Sequence, residues 1–332
     1  MANDDQAQKP LLLLPAPKVA PTGIAGMVFL VLIFFASAGL TVAYLSNTST
    51  SKAAQAAAVA SAVVEDAFAG IKLEAQSAYV LDLTTDRVLY SKNEAAQLPL
   101  ASLTKVPLAL VIAEVIPPDT IITIAPHTPS DGGGVRLPAG LQFRAQDLID
   151  FTLVASSNEG AEILAEAAAS AMLQEYPGAA HAAPVLWRMN DWVKDLGLAH
   201  TYFLNTSGLD LSPTQAGAYG SAKDVARMFG YAASVSYATF GQTSRDTIKI
   251  RAITGESITA RNTDEALPSI PGLILGKTGY TQLAGGNLAI VFEVGPAHPI
   301  AAVVLHSTRD GRFDDMKALI TATISSIAGG GQ

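Results

Sequence analysis

Ala101-Ser102-Leu103-Thr104-Lys105-Val106-Pro107-Leu108-Ala109-Leu110-Val111 sets a serine and a lysine three residues apart at the head of an apolar run. The run reads as a helix. Positions i and i+3 share a helix face, so the Ser102 hydroxyl and the Lys105 amine are expected to meet. Ser102 also suits a helix start, where free N–H groups and the positive dipole end favour a developing anion. Pro107 removes one early backbone donor, which predicts an irregular first turn and not a broken helix. A nucleophile needs exposure, a base within reach and donors for an oxyanion, and the stretch supplies parts of all three. Alone the pair is a weak signal, because the same spacing recurs at Ser49 and Lys52 in a polar, linker-like stretch.

Around this helix the patterning predicts a sheet. Ala78 to Leu83, then Thr84-Thr85-Asp86, then Arg87 to Tyr90 read as strand, turn and strand. Ile121 to Ile124 suggests a short strand, and Asp131-Gly132-Gly133-Gly134 a loop. From Asp147 a long helical pattern runs through Leu153, Ile163 and Leu164 to about Met172. Trp187 to Leu196 reads as a helix ended by Gly197, Thr201 to Leu209 as short and extended, and Ala222 to Ala233 as helix. Leu273 to Leu275, Leu288 to Val294 and Ile300 to Leu305 read as strands, and Asp314 to Ile327 as a last helix. An early hairpin and late strands around a helix-rich middle predict an α+β fold: a mainly antiparallel sheet flanked by helices, with an inserted helical lobe.

Composition narrows the chemistry. The 332 residues allow a large core, and a net charge of −8 without a dense basic stripe argues against nucleic-acid binding. There is no cysteine, which excludes thiolate metal sites, disulfides and a cysteine nucleophile. Five scattered histidines, none in an H-E-x-x-H pattern, give little material for a metal cage or a histidine triad; no metal site is expected.

Residues 24–45 are apolar without a charge. As a helix they would extend about 33 Å, enough to cross a hydrocarbon core of roughly 30 Å. A cleaved signal peptide is the alternative, but Ala36-Ser37-Ala38, the A-x-A match, lies inside the apolar run. The expected organisation is an N-terminal tail (1–23), a transmembrane anchor (24–45), an Ala/Ser-rich linker (46–72) and a globular domain (73–329). Asn47-Thr48-Ser49 matches a glycosylation sequon and reads as a chance match.

Two further segments could carry chemistry. Ser156-Ser157-Asn158 interrupts the apolar helical pattern, where such residues favour a turn or cap. Gly276-Lys277-Thr278-Gly279-Tyr280 follows a short apolar strand. Its glycines allow close approach, the lysine offers a fixed charge and the threonine a hydroxyl, apt for a carboxylate; a glycine-rich hairpin bend is the plainer reading.

Ser102-x-x-Lys105, Ser156-x-Asn158 and Lys277-Thr278-Gly279 together form the triple shared by penicillin-binding proteins and serine β-lactamases. Over residues 75–327 the chain more closely resembles the D-alanyl-D-alanine carboxypeptidases of low molecular weight. Gly134 to Gly140, Phe203 to Asp210, Ser221 to Asp224 and Arg261-Asn262-Thr263 support the likeness in the family's order. The resemblance implies a β-lactamase/DD-peptidase-like fold and a serine peptidase that needs no cofactor. Ser102 would attack the carbonyl between two terminal D-alanines of a peptidoglycan stem peptide, with Lys105 as base. Ser156 would relay a proton, Asn158 would orient Lys105, and Lys277, Thr278 and Gly279 would receive the substrate. Backbone N–H groups of Ser102 and Tyr280 would form the oxyanion hole. β-Lactams would be covalent inhibitors, and the domain would sit outside the cytoplasmic membrane on a single-pass anchor. Relatives often add an arginine on the following strand to hold the carboxylate; here that neighbourhood reads Ala297-His298-Pro299-Ile300. The readings left beside the carboxypeptidase are a DD-endopeptidase acting on cross-links, a secreted β-lactamase and a non-catalytic peptidoglycan-binding module.

Overall fold

The computed structural model describes residues 66–126 and 135–329. The 24–45 span, the Ser49/Lys52 pair, the sequon and the 131–134 loop lie outside them. Among the described residues no helix is long and apolar enough to cross a membrane.

A five-stranded sheet has the order β10-β11-β12-β1-β2, with Leu273–Thr281, Gly285–Glu293, Pro299–Ser307, Ser77–Asp82 and Arg87–Lys92 as its strands. Every pairing in it is antiparallel. Its central strands are covered on both faces, which is why β11 and β12 read as nearly continuous apolar runs. Parity divides them. Ala78, Val80, Ile290, Ala302 and Val304 face one way, onto Phe313, Met316, Leu319 and Ile320 of the last helix, α7 (Gly311–Gly329). Tyr79, Leu81, Ala289, Val291, Ala301 and Val303 face the other way, into the larger core under the helical lobe. α5 (Ala222–Val235) lies on that second face, capped by Ser221, whose Oγ accepts from Asp224 N–H at 3.1 Å.

The lobe is built on α1 (Lys105–Val115), surrounded by α2 (Ala145–Val154), α3 (Asn158–Glu175) and α4 (Pro184–Asp195). Its residues 105–112 are all buried, as expected of a helix that is apolar on every side. α1 is preceded by a 3-10 turn, Ala101–Thr104, so the irregular start is present; Pro107 falls within the first α-helical turn, where a missing N–H donor costs the helix little.

The pattern from Asp147 to Met172 resolves into two helices broken at Ala155–Ser157. Ser156 is left-handed (φ +55°), and Ser157 caps α3, its Oγ accepting from Gly160 N–H at 3.0 Å. α2 and α3 then cross so closely that a Cβ at Gly160 would stand 2.3 Å from Thr152 Oγ1. The 201–209 stretch keeps only the two-residue strand β6 (Tyr202–Phe203), which pairs β7 (Ala218–Gly220); β3 (Leu98–Pro99) lies on β7's other side. Two small hairpins complete the fold, β4 (Ile121–Thr123) with β5 (Gln142–Arg144) and β8 (Thr247–Arg251) with β9 (Ser257–Arg261).

Candidate active site

Sheet and lobe meet along β10, and a cleft of about 720 Å³ opens there. Ser102 stands on its floor, in the 3-10 turn. The segment before it is fixed by Leu100 N–H to Ala218 O at 3.0 Å and by the buried Asn287, whose Nδ2 donates to Pro99 O at 2.9 Å. Ala101 is left-handed at φ +50°, a costly conformation for a residue with a side chain. Its carbonyl faces Gly208, where a Cβ would fall 1.9 Å from the oxygen; at φ +83° the position is doubly suited to glycine.

Lys105 reaches back to Ser102 as the i, i+3 spacing predicts, with Nζ 2.8 Å from Oγ. The same nitrogen donates to Asn158 Oδ1 and to the Ser207 carbonyl, both at 2.7 Å. The side chain is fully buried. Burial lowers its pKa from 10.5 to about 7, with Glu162 pulling weakly the other way. Two of the three partners are carbonyl oxygens and can only accept. A neutral amine gives its two N–H groups to those, which leaves its lone pair aimed at the Ser102 hydroxyl. The three partners thus accommodate the neutral amine, with the fully buried site lowering its pKa to about 7.

Ser156 Oγ accepts from Lys277 Nζ at 2.8 Å, and the same nitrogen donates to Thr278 O at 2.9 Å. Lys277 is buried, and its pKa lies well below the ordinary value through burial, then repulsion from Lys105 and Arg312. Lys277, Thr278 and Gly279 are not in a bend. They are inside β10, paired with Ala289, Leu288 and Asn287, because the strand continues to Thr281 beyond its apolar start. A side chain at Gly279 would come 2.8 Å from Leu100 O and 3.3 Å from Ser102 N, so glycine lets β10 lie against the Ser102 turn. Tyr280 follows at the cleft mouth, its ring under the Arg309 guanidinium at 5.1 Å.

All nine positions singled out in the sequence therefore converge: Ser102, Ser156, Asn158, Thr278 and Tyr280 line the cleft, and Lys105, Ser157, Lys277 and Gly279 support it. What sequence reading missed is a second cation. Ala297 to Ile300 lies at the wrong end of β12: Pro299 pairs Glu293, whereas Ser307 pairs Gly286, the partner of Tyr280. An arginine must therefore come after the strand, and Arg309 and Arg312 both line the cleft. Arg312 is buried, with Nη1 donating to Gly279 O at 2.8 Å and Nε lacking a protein acceptor. The Ser207 carbonyl was missed as well. Among the described residues no histidine/acid cluster suited to a metal is found.

The sequence matches the family described as D-alanyl-D-alanine carboxypeptidase over residues 57–308. It is 31% identical to a D-alanyl-D-alanine endopeptidase of Pseudomonas aeruginosa, over 70% of this chain and 72% of the relative. It is also 31% identical to a D-alanyl-D-alanine carboxypeptidase of Bacillus subtilis, over 71% of this chain but only 58% of that protein. The fold is similar to a Listeria monocytogenes penicillin-binding protein crystallised with ampicillin, with a TM-score of 0.61, 25% identity, and coverage of 76% of this chain and 98% of that one.

Proposed function

Since this chain belongs to the D-alanyl-D-alanine carboxypeptidase family, we propose that it is a serine carboxypeptidase that releases the terminal D-alanine of peptidoglycan stem peptides through an acyl-enzyme on Ser102. The observation that carries the residue assignment is the Lys105 amine, buried, 2.8 Å from Ser102 Oγ and with carbonyls as its other two partners.

Lys105 takes the Ser102 proton as Oγ bonds to the scissile carbonyl carbon. The oxyanion is met by the N–H groups of Ser102 and Tyr280. The C–N bond then breaks as the proton held by Lys105 passes through the Ser156 hydroxyl, which is shared with Lys277, to the amine of the departing D-alanine, so Lys105 is neutral again. Water attacks the ester while Lys105 takes its proton and then gives it to Ser102 Oγ as the ester C–O bond breaks, which restores Ser102. Asn158 keeps Lys105 in place. Lys277, the Thr278 hydroxyl and Arg312 form the end that takes the substrate carboxylate, so terminal-carboxylate recognition has the second cation that the 297–300 neighbourhood lacks. β-Lactams acylate Ser102 as substrate mimics. The 24–45 segment anchors the enzyme, with the catalytic domain outside the cytoplasmic membrane.

Cross-link cleavage is the second reading. It is favoured by the size of the cleft, which continues past Thr278 to Glu265, Arg309 and Asp310 and has room for a leaving group larger than D-alanine.

Labelled penicillin should add once, on Ser102, and Ser102→Ala should give no adduct. Lys105→Ala should fold and acylate about 10²–10⁴-fold more slowly. Labelling that survives in Ser102→Ala would falsify the nucleophile assignment. Digestion of pentapeptide and of cross-linked muropeptides, read by product mass, separates the two substrate readings.

A further inference from the structure

Arg261-Asn262-Thr263 has no part in the reaction above, yet it brings a hydroxyl to the wall of the cleft. Thr263 lies in the loop between β9 and β10 and lines the cleft beside Thr278, with the two hydroxyl oxygens 2.5 Å apart. The loop is anchored on both sides of it. Asn262 Nδ2 donates to the Thr243 and Arg245 carbonyls at 2.8 and 3.0 Å, and the Asn262 N–H donates to Asp246 O at 2.7 Å. Asp264 N–H donates to Asn262 Oδ1 at 3.0 Å, and the buried Asp264 carboxylate accepts from Ala266 N–H at 2.9 Å. Thr243, in the 3-10 turn Gly241–Ser244, also holds β10, because its Oγ1 accepts from Gly276 N–H at 3.2 Å. One turn therefore fixes both strand and loop, and with them the contact between Thr263 and Thr278.

Two hydroxyls at this distance hold one proton between their oxygens, and either can supply it. The other proton is left to point elsewhere. A carboxylate can only accept. For Thr278 to donate to a carboxylate in the cleft, Thr263 must supply the proton between the two oxygens. Donation from Thr263 also polarises the Thr278 O–H and makes it a stronger donor. The cations nearby are tied to other acceptors: Lys277 Nζ donates to Ser156 Oγ and Thr278 O, and Arg312 Nη1 donates to Gly279 O. They supply charge, and the threonine pair supplies direction.

On the reading of the site as a DD-peptidase, we propose that Thr263 is a positioning residue that donates to Thr278 Oγ1 and so turns the Thr278 hydroxyl proton onto the substrate carboxylate. The role needs the Thr263 proton and the 2.5 Å contact, and it acts only through Thr278. A serine at 263 keeps the hydroxyl. An alanine removes it and leaves Thr278 without the partner that sets its rotation.

The test uses the full chain. Thr263→Ala should raise KM for a D-Ala-D-Ala peptide by about 3–10-fold with kcat changed less than about twofold, and Thr263→Ser should restore the wild-type KM. A double-mutant cycle shows whether the effect runs through Thr278. The second-order rate of acylation by penicillin, which carries a carboxylate of its own, should fall in Thr263→Ala and in Thr278→Ala, and the double variant should be no slower than Thr278→Ala. An unchanged KM in folded Thr263→Ala overturns the proposal, and so does a serine that fails to rescue. Losses that add in the double variant overturn it too, since Thr263 would then act without Thr278. If Thr263→Ala does not fold, Thr263→Val, which keeps the branched shape without the proton, takes its place under the same expectations. Wild type that forms no penicillin adduct would remove the peptidase reading itself, whereas normal wild-type acylation with unchanged variants removes only the role of Thr263.

Discussion

At Lys105 catalysis and stability pull in opposite directions. Lowering an amine from 10.5 to about 7 means that the folded protein disfavours its charged form by about 5 kcal/mol, a large part of a typical folding free energy. Between those two values the unfolded chain holds more protons than the native one. The contribution of this group to stability therefore rises with pH from about 7 to 10.5, and the whole penalty is present below 7. Acylation has the same sign for a different reason. In the proposed mechanism Lys105 acts as the base and must be neutral, so the rate of penicillin acylation should climb as pH passes through about 7 and then level off. Lys105→Met removes both effects. Denaturant melts at several pH values should find its stability relative to wild type highest near pH 7 and falling toward pH 10; a constant difference would mean that the amine is not desolvated. The serine–lysine pair was legible because i, i+3 spacing on a helix fixes contact locally. The Ser207 carbonyl was not, since a backbone oxygen leaves no letter in the sequence. Arg312 was hidden by register: only the pairing of β12 with β11 tells which end of the strand meets the site.

At the scale of elements, the cleft is held by three short breaks in otherwise regular structure: the 3-10 turn at Ser102, the Ala155–Ser157 break and the loop that presents Ser207. The last is the most constrained. Asn205 Oδ1 accepts from Gly208 N–H at 2.7 Å and its Nδ2 donates to Leu209 O at 2.8 Å, so one side chain closes the loop on itself. Gly208 then stands against the Ala101 carbonyl and the Thr104 hydroxyl. Gly208→Ala would put a methyl group into that carbonyl and strain a left-handed residue as well, an expected loss of roughly 2–4 kcal/mol. Because the loop would have to back away, the Ser207 carbonyl would leave Lys105, and acylation should fall by more than the unfolded fraction explains. Thermal melts and adduct formation on the folded fraction check this together; normal acylation in a destabilised protein would show that the loop supports the fold alone. Elements with strong local signals were legible: the β1–β2 hairpin, the helix stopped by Gly197, and the buried runs of β11 and β12. The β8–β9 hairpin was not, because Thr247–Arg251 alternates over only five residues and its polar face carries no turn signal beyond Gly255. β10 was read too short because its second half exchanges apolar residues for the lysine, threonine and glycine the site needs. Local pattern fails there for a functional reason.

At the scale of the whole molecule, the question is where a cleft of this kind works. Among the described residues sheet and lobe carry two cores, one on each face of the central sheet. A run of that length without a charge is costly to leave in water and long enough to span a bilayer. With 24–45 as the proposed anchor, the stretch from Ser46 to Glu65 could reach at most about 70 Å if fully extended, which would limit how far from the membrane the domain can begin at Asp66. Stem peptides farther away would be out of range of an anchored enzyme and within range of a released one. Full-length protein should therefore sediment with membranes and resist high-salt and alkaline washing. A variant beginning at Asp66 should stay in the supernatant and still form the Ser102 adduct. Recovery of full-length protein from the soluble fraction, with an N-terminus starting just after Ala38, would instead identify the segment as a cleaved leader. The limit on reach would then fall away with it.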